Sequence, residues 1–177
     1  MAGTIEVAER GQPIAFSYED MMRYHGPGSP GGVAHAFKVL ERALPLLDPD
    51  RPCERREIVV DTAFGGPGAR DAFELVTRAV TGARFRVDSS LALPERGRTL
   101  ERFVFRLRYR ERSVTLVLRE GFVTEEFIDL ARAEARTPDE EQRLDALKLE
   151  MAARVLARPA ETAEPSRRRP RSGARAG

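Results

Sequence analysis

Tyr24-His25-Gly26-Pro27-Gly28-Ser29-Pro30-Gly31-Gly32 runs straight into apolar residues at helical spacing: Val33, Ala36, Phe37, Leu40, Leu44 and Leu47. Phe64-Gly65-Gly66-Pro67-Gly68 does the same before Ala69, Ala72, Phe73, Val76 and Val80. A helix start carries unpaired N–H groups and the positive end of the helix dipole, so each junction can hold an anion or a metal-bound ligand. Gly28, Ser29 and Gly31 at the first junction, and Gly65, Gly66 and Gly68 at the second, are therefore candidate ligand-binding positions. The second loop lacks the Walker lysine and the dinucleotide spacing, so close packing of helix on strand is the competing account of its glycines.

His25, one of two histidines, stands in the first loop, where it can serve as general acid–base or metal ligand, or simply bond a loop carbonyl. Asp61 and Asp71 bracket the second loop. Asp71 falls in the first helical turn, where dipole complementarity explains it, although a general base is the sharper reading. Asp61 is a candidate oxygen donor to the same ligand. His35, flanked by apolar stripe positions, reads as a satisfied, partly buried histidine. Ser29 follows His25 by four residues without the strand–elbow–helix pattern of a hydrolase, so a catalytic triad is poorly supported. Cys53, the single cysteine, excludes an internal disulfide and any multi-cysteine metal site within one chain. It reads as an incidental loop thiol.

The elements that would position these residues follow from periodicity and caps. Residues 1–15 read as loosely ordered, 16–157 as one domain, and 158–177 as a disordered basic tail. Ser17 caps a short helix over Phe16–Tyr24, with Glu19 and Asp20 in its first turn. Glu57–Ala63 is strand-like and leads into the second loop; Gly82 reads as the left-handed cap closing the helix that follows. Arg84–Asp88 reads as a short strand. Phe103, Phe105, Leu107 and Tyr109 alternate with Arg102, Arg106, Arg108 and Arg110, and a turn leads to a second alternating run, Val114, Leu116 and Leu118. That pattern predicts a β-hairpin with one buried face. Its arginines can meet RNA or an acidic partner, or pair with acids of the late helices such as Glu125, Glu134 or Asp145. Thr124 caps the first late helix. Thr137-Pro138-Asp139-Glu140 opens the second with a capping box and proline at the first helical position.

At 177 residues the chain is long enough for one real core. The formal charge of +2 is uneven: six arginines and two glutamates from Arg158 onward leave the rest near −2. The tail, lacking aromatic residues, would give weak, sequence-blind, salt-sensitive nucleic-acid binding. No apolar run is long enough for a transmembrane helix and no signal peptide is visible, so the expectation is a cytoplasmic protein without membrane contact.

In their order these pieces resemble the FmdE-like family of formylmethanofuran dehydrogenase components. The family's His-Gly-His-x-Cys-Pro-Gly motif corresponds to His25-Gly26-Pro27-Gly28-Ser29-Pro30-Gly31. Its acidic strand end and Asp-Ala-Ile-Gln helix leading to Thr-Gly-Cys correspond to Asp61, Asp71-Ala72-Phe73-Glu74 and Thr81-Gly82, with roughly one extra helical turn between. The hairpin, the Thr137-Pro138-Asp139-Glu140 helix start and Leu156-Ala157-Arg158-Pro159-Ala160-Glu161 match in character, so the resemblance spans Phe16–Glu161. It implies an α+β fold, a largely antiparallel sheet with packed helices, and a homodimer. It also implies a metal site, but the family's ligand positions hold Pro27, Ser29, Gly68 and Ala83 here. Only His25 remains as a metal ligand, with Asp61 and Asp71 as oxygen donors, too few to carry over a zinc-like divalent site. The expectation is a small-ligand-binding or accessory protein near one-carbon or molybdenum/tungsten-enzyme metabolism, with or without a partner enzyme. The alternative is a metal-dependent or histidine-based enzyme at the same cleft.

Overall fold

Apolar residues at helical spacing from Val33 to Leu47 form the central helix of a computed structural model, which describes residues 3–159 and 163–165. In chain order the elements are β1 (Ile5–Glu9), β2 (Gln12–Phe16), α1 (Tyr18–His25), α2 (Pro30–Leu47), β3 (Val59–Thr62), α3 (Pro67–Thr77), β4 (Phe85–Val87), β5 (Val104–Tyr109), β6 (Arg112–Leu118), α4 (Glu125–Arg132), α5 (Pro138–Leu156) and β7 (Ala163–Pro165). The fold is α+β. Five strands form a mixed sheet in the order β4-β3-β5-β6-β7, antiparallel except for the β3–β4 pair, and β1–β2 is a separate hairpin.

The period-two alternation decides which face of the sheet is covered. Val60 stands opposite Leu107, and Phe105 opposite Leu116; all four are buried in the core shared with α2 and α3. The intervening residues, Asp61, Arg106, Arg108, Ser113 and Thr115, share the other face. α2 is buried on several sides, from Val33 and Phe37 to Leu44 and Leu47, because α3 and α5 both pack on it while it lies across β5 and β6. Pro45 falls in its last turn, where the missing N–H removes a single bond near the helix end. Among the described residues no helix is long and apolar enough to cross a membrane.

The cap signals are realised. Ser17 with Asp20 and Thr137 with Glu140 form capping boxes, and the Thr124 hydroxyl accepts from the Phe127 N–H. Three expectations are corrected. The segment 1–15, read as loosely ordered, instead contributes, with Phe16, the β1–β2 hairpin. Ile5 and Val7 alternate into the core, and the Arg10-Gly11 turn has positive φ at both positions, as a tight two-residue hairpin turn requires. α3 ends at Thr77 with Arg78 as its left-handed cap, not at Gly82. The buried Glu74 carboxylate takes the Val80 and Thr81 N–H groups and turns the chain back one turn early. Within the tail expected at 158–177, β7 pairs with β6; apart from Arg158, Pro159 and β7, that tail lies outside the described residues.

α2 and α3 start against each other. A Cβ on Gly68 would come within 2.5 Å of the Ser29 carbonyl oxygen, and one on Gly32 within 3.2 Å of the Ala69 nitrogen. Backbone therefore meets backbone at both positions. Gly28, by contrast, has nothing within 4 Å of its would-be Cβ. Gly68→Ala is expected to cost about 1–3 kcal/mol through forced backbone shifts, and Gly28→Ala to stay within about 0.5 kcal/mol. Urea denaturation midpoints at unchanged slope would show it; equal midpoints would mean the helix crossing is not tight.

Candidate functional site

Where the two helix starts meet, both glycine loops border one cavity of about 360 Å³. Ser29, Gly31 and Gly32 come from the first junction; Gly65, Gly66 and Gly68 come from the second. Proline at the first position of each helix, Pro30 and Pro67, leaves no stranded donor there. The N–H groups of Gly31, Gly32, Gly68 and Ala69 belong to first turns, which have no intrahelical acceptor. Ser29 stands at the N-cap of α2, yet its hydroxyl makes no capping bond.

The rest of the wall comes from parts of the chain that sequence spacing does not connect. Phe64, Phe103, Phe127, Ile128 and Met151 supply apolar surface, with Phe64 stacked on Phe103 at 4.5 Å between centroids. Arg98, Arg102, Arg132 and Lys148 supply the charge, and among the described residues no carboxylate lines the cavity. Three of the four cations are tied outward: Arg98 to Glu125 and Asp129, Arg132 to Glu101, and Lys148 to Asp145. Arg102 has no ion-pair partner among the described residues. Exposed pairs of this kind contribute about 0–1 kcal/mol each, so a bound anion can compete for these cations. Arg98, Arg132 and Lys148 carry no local motif. Only their positions on α4, α5 and the long connection before β5 bring them here.

His35 stiffens the wall from behind. Its Nδ1–H donates to the Gly31 carbonyl at 2.7 Å, and its ring lies 4.9 Å from that of Phe103 and 6.4 Å from that of Phe64. The ring is 2% exposed, and Nε2 has no partner among the described residues, so it is only half satisfied. Burial pushes its pKa down to about 4, against a smaller opposing effect of the Gly31 bond. The unfolded chain, with a histidine near 6.5, therefore binds a proton that the folded chain refuses between about pH 6.5 and pH 4. Stability rises with pH across that window and is lost on acidification.

The predicted site residues do not all converge. His25 and Asp71 do meet: Nδ1–H donates to Asp71 Oδ2 at 2.8 Å, tying the end of α1 to α3. The His25 side chain is 9% exposed and its Nε2 is buried without a partner among the described residues. Neither residue lines the glycine-loop cavity, nor does Gly28. Asp61 is further removed. It is 1% exposed on the opposite sheet face, where it accepts from Arg86 at 2.8 Å, Arg108 at 3.1 Å and Arg106 at 3.3 Å. The sheet arginines thus pair with Asp61, and Arg110 with Glu57, rather than with acids of the late helices. Cys53 lies in a loop, as expected, but is buried, and burial pushes its pKa up to about 11, far from a nucleophile's range.

A metal site of the FmdE kind does not fit these residues. His25 and Asp71 give two donors, Asp61 is taken by arginines, and among the described residues no group of three or more His, Cys, Asp or Glu could hold an ion. Compared with family models, with curated proteins and with solved structures, the chain matches none.

The His35 geometry predicts a pH signature. Between pH 6.5 and pH 5, above most carboxylate titration, the wild type is expected to lose roughly 1.5 kcal/mol of unfolding free energy. His35→Gln should flatten that slope. Urea titrations at several pH values would measure both, and parallel slopes would refute the assignment.

Proposed function

We propose that this protein binds a small anionic ligand with an apolar body, held in the cavity between the two glycine-rich helix starts. One observation carries the reading: both loops line a single cavity whose charged wall residues are all cationic. Its volume of about 360 Å³ is within the range of small-molecule sites, which runs from about 300 to 1,000 Å³. First-turn N–H groups and Arg102 would take a carboxylate or phosphate, while Phe64, Phe103, Phe127 and Met151 would cover an acyl or aryl body. Specificity would follow from placing one charge at the helix starts and excluding a second polar group from the aromatic wall. The resemblance to the FmdE-like family, resting on the succession of motifs, would set this ligand or a partner enzyme in one-carbon metabolism.

A second reading is proton-transfer chemistry at His25. It draws on the 2.8 Å bond to Asp71, which orients the ring with the proton on Nδ1 as in a catalytic pair; the buried Nε2 would have to be uncovered to meet a substrate. His25 does not border the cavity, so binding is the leading reading.

Thermal-shift screening of aryl and acyl carboxylates and phosphates against the full chain tests it. A ligand at about one hundred times its dissociation constant should stabilise the protein by about 2.7 kcal/mol. The Arg102→Glu/Lys148→Glu variant should weaken binding about tenfold or more. His25→Ala should weaken passive binding only modestly. If the charge-reversal variant binds every hit as tightly as the wild type, the ligand is not in this cavity.

A further inference from the structure

The sheet face turned away from the helices is built differently from the glycine-loop cavity. Register sets Asp61 directly opposite Arg106 and beside Arg86, with Arg108 two positions along the same strand. Three guanidinium groups converge on this one buried carboxylate. Asp61 Oδ1 accepts from Arg86 Nε; Oδ2 accepts from Arg106 Nε and Nη2 and from Arg108 Nη2. One arginine would suffice to neutralise a buried aspartate. Three leave positive charge in surplus, part of which the neighbouring Asp88 carboxylate, just after β4, offsets.

Their unused donors are the informative part. Both Nη groups of Arg86, Nη1 of Arg106, and Nη1 and Nε of Arg108 have no acceptor among the described residues, and the Arg108 Nε is itself buried. These arginines line an open concavity of about 870 Å³, to which Ser113 and Thr115 on β6 add hydroxyl groups; Ser90, in the loop after β4, also lines it, with its hydroxyl donating to Asp88. We infer that this face is a binding site for the phosphoryl group of a small molecule, with Asp61 as the positioning residue that holds the guanidinium forks.

The chemistry favours phosphoryl over other anions. A phosphomonoester carries about −1.5 to −2 charge at neutral pH and presents three strong acceptor oxygens, enough to engage the free donors of two arginines at once, whereas a lone carboxylate presents two. Guanidinium forks bond pairs of phosphate oxygens in parallel, and hydroxyls can take the remaining oxygen. Among the described residues no aromatic side chain lines the concavity, so these offer no stacking platform for the bases of a nucleic acid strand.

Isothermal titration calorimetry of the full chain with pyrophosphate at low ionic strength tests the assignment. One site per chain is expected in the wild type, with affinity falling as salt rises. Arg86→Gln is the lead variant: its side chain is 62% exposed and Asp61 keeps two other partners without it. It should weaken binding about tenfold, and the Arg86→Gln/Arg106→Gln variant further. Unfolding midpoints close to the wild type would show that the fold survives; should the double variant unfold, Arg86→Gln alone decides. The proposal is overturned if the wild type releases no binding heat, or if Arg86→Gln binds pyrophosphate unchanged. It is equally overturned if affinity vanishes in Arg102→Gln/Lys148→Gln but not in Arg86→Gln, which would place the anion in the glycine-loop cavity. Arginine-dependent capture of a single-stranded oligonucleotide without pyrophosphate binding would reassign the face to nucleic acid.

Discussion

Gly68 presses on the Ser29 carbonyl so closely that no Cβ fits between them, and that contact fixes where α2 and α3 cross. Because the crossing lies at the first turn of both helices, two sets of unpaired N–H groups face the same region. The loops ahead of them, 26–29 and 63–66, must then diverge around a space, which α4 and α5 close from the far side. His35 reinforces the arrangement by bonding the Gly31 carbonyl one turn inside α2 and packing against Phe103 and Phe64. The cavity is thus a consequence of close helix packing. Packing and binding, which compete as accounts of the glycines in the sequence, are here one geometry: Gly32 and Gly68 serve the contact, and Gly31, Gly65 and Gly66 line the space beside it.

A second constraint concerns the far end of α3, where the last carbonyls of a helix need donors. Arg55, itself buried, donates to Val76 and Leu75, and Arg84 donates to Thr77, Arg78 and Ile58. These two arginines stitch α3 to the start of β3 and to the turn before β4. Glu9 pairs with Arg55 and so brings the amino-terminal hairpin into the same network, while Glu54 takes the two N–H groups of its turn. Much of the arginine content of this chain is therefore structural, committed to carbonyls and to acids.

Legibility in the sequence follows the range of the interactions involved. Local signals read correctly: both helix junctions, the Ser17, Thr124 and Thr137 caps, and the β5–β6 hairpin, because a cap or an alternation is decided within a few residues. The amino-terminal hairpin is readable in principle from Ile5, Val7 and the Arg10-Gly11 turn, but five-residue strands give a weak alternation. The end of α3 depends on the Glu74 side chain reaching six and seven residues ahead, which periodicity does not register. Arg98, Arg132 and Lys148 enter the cavity through tertiary placement alone. His25 and Asp71, 46 residues apart, are hydrogen-bonded to each other, although not at the cavity.

Asp61 could not have joined them. Side chains alternate along β3, so the register that buries Val60 against the helices sends its neighbour to the opposite face. Moving that carboxylate to the cavity would require a one-residue slip, which would also expel Leu107 and Phe105 from the core. The same alternation separates two groups of cations by the thickness of the sheet. Without the residues from Arg158 onward the chain carries a formal charge near −2, so neither group reflects a generally basic surface. Each is a local positive concavity on a slightly acidic body. Fields of that kind raise the local concentration of small anions at a defined point.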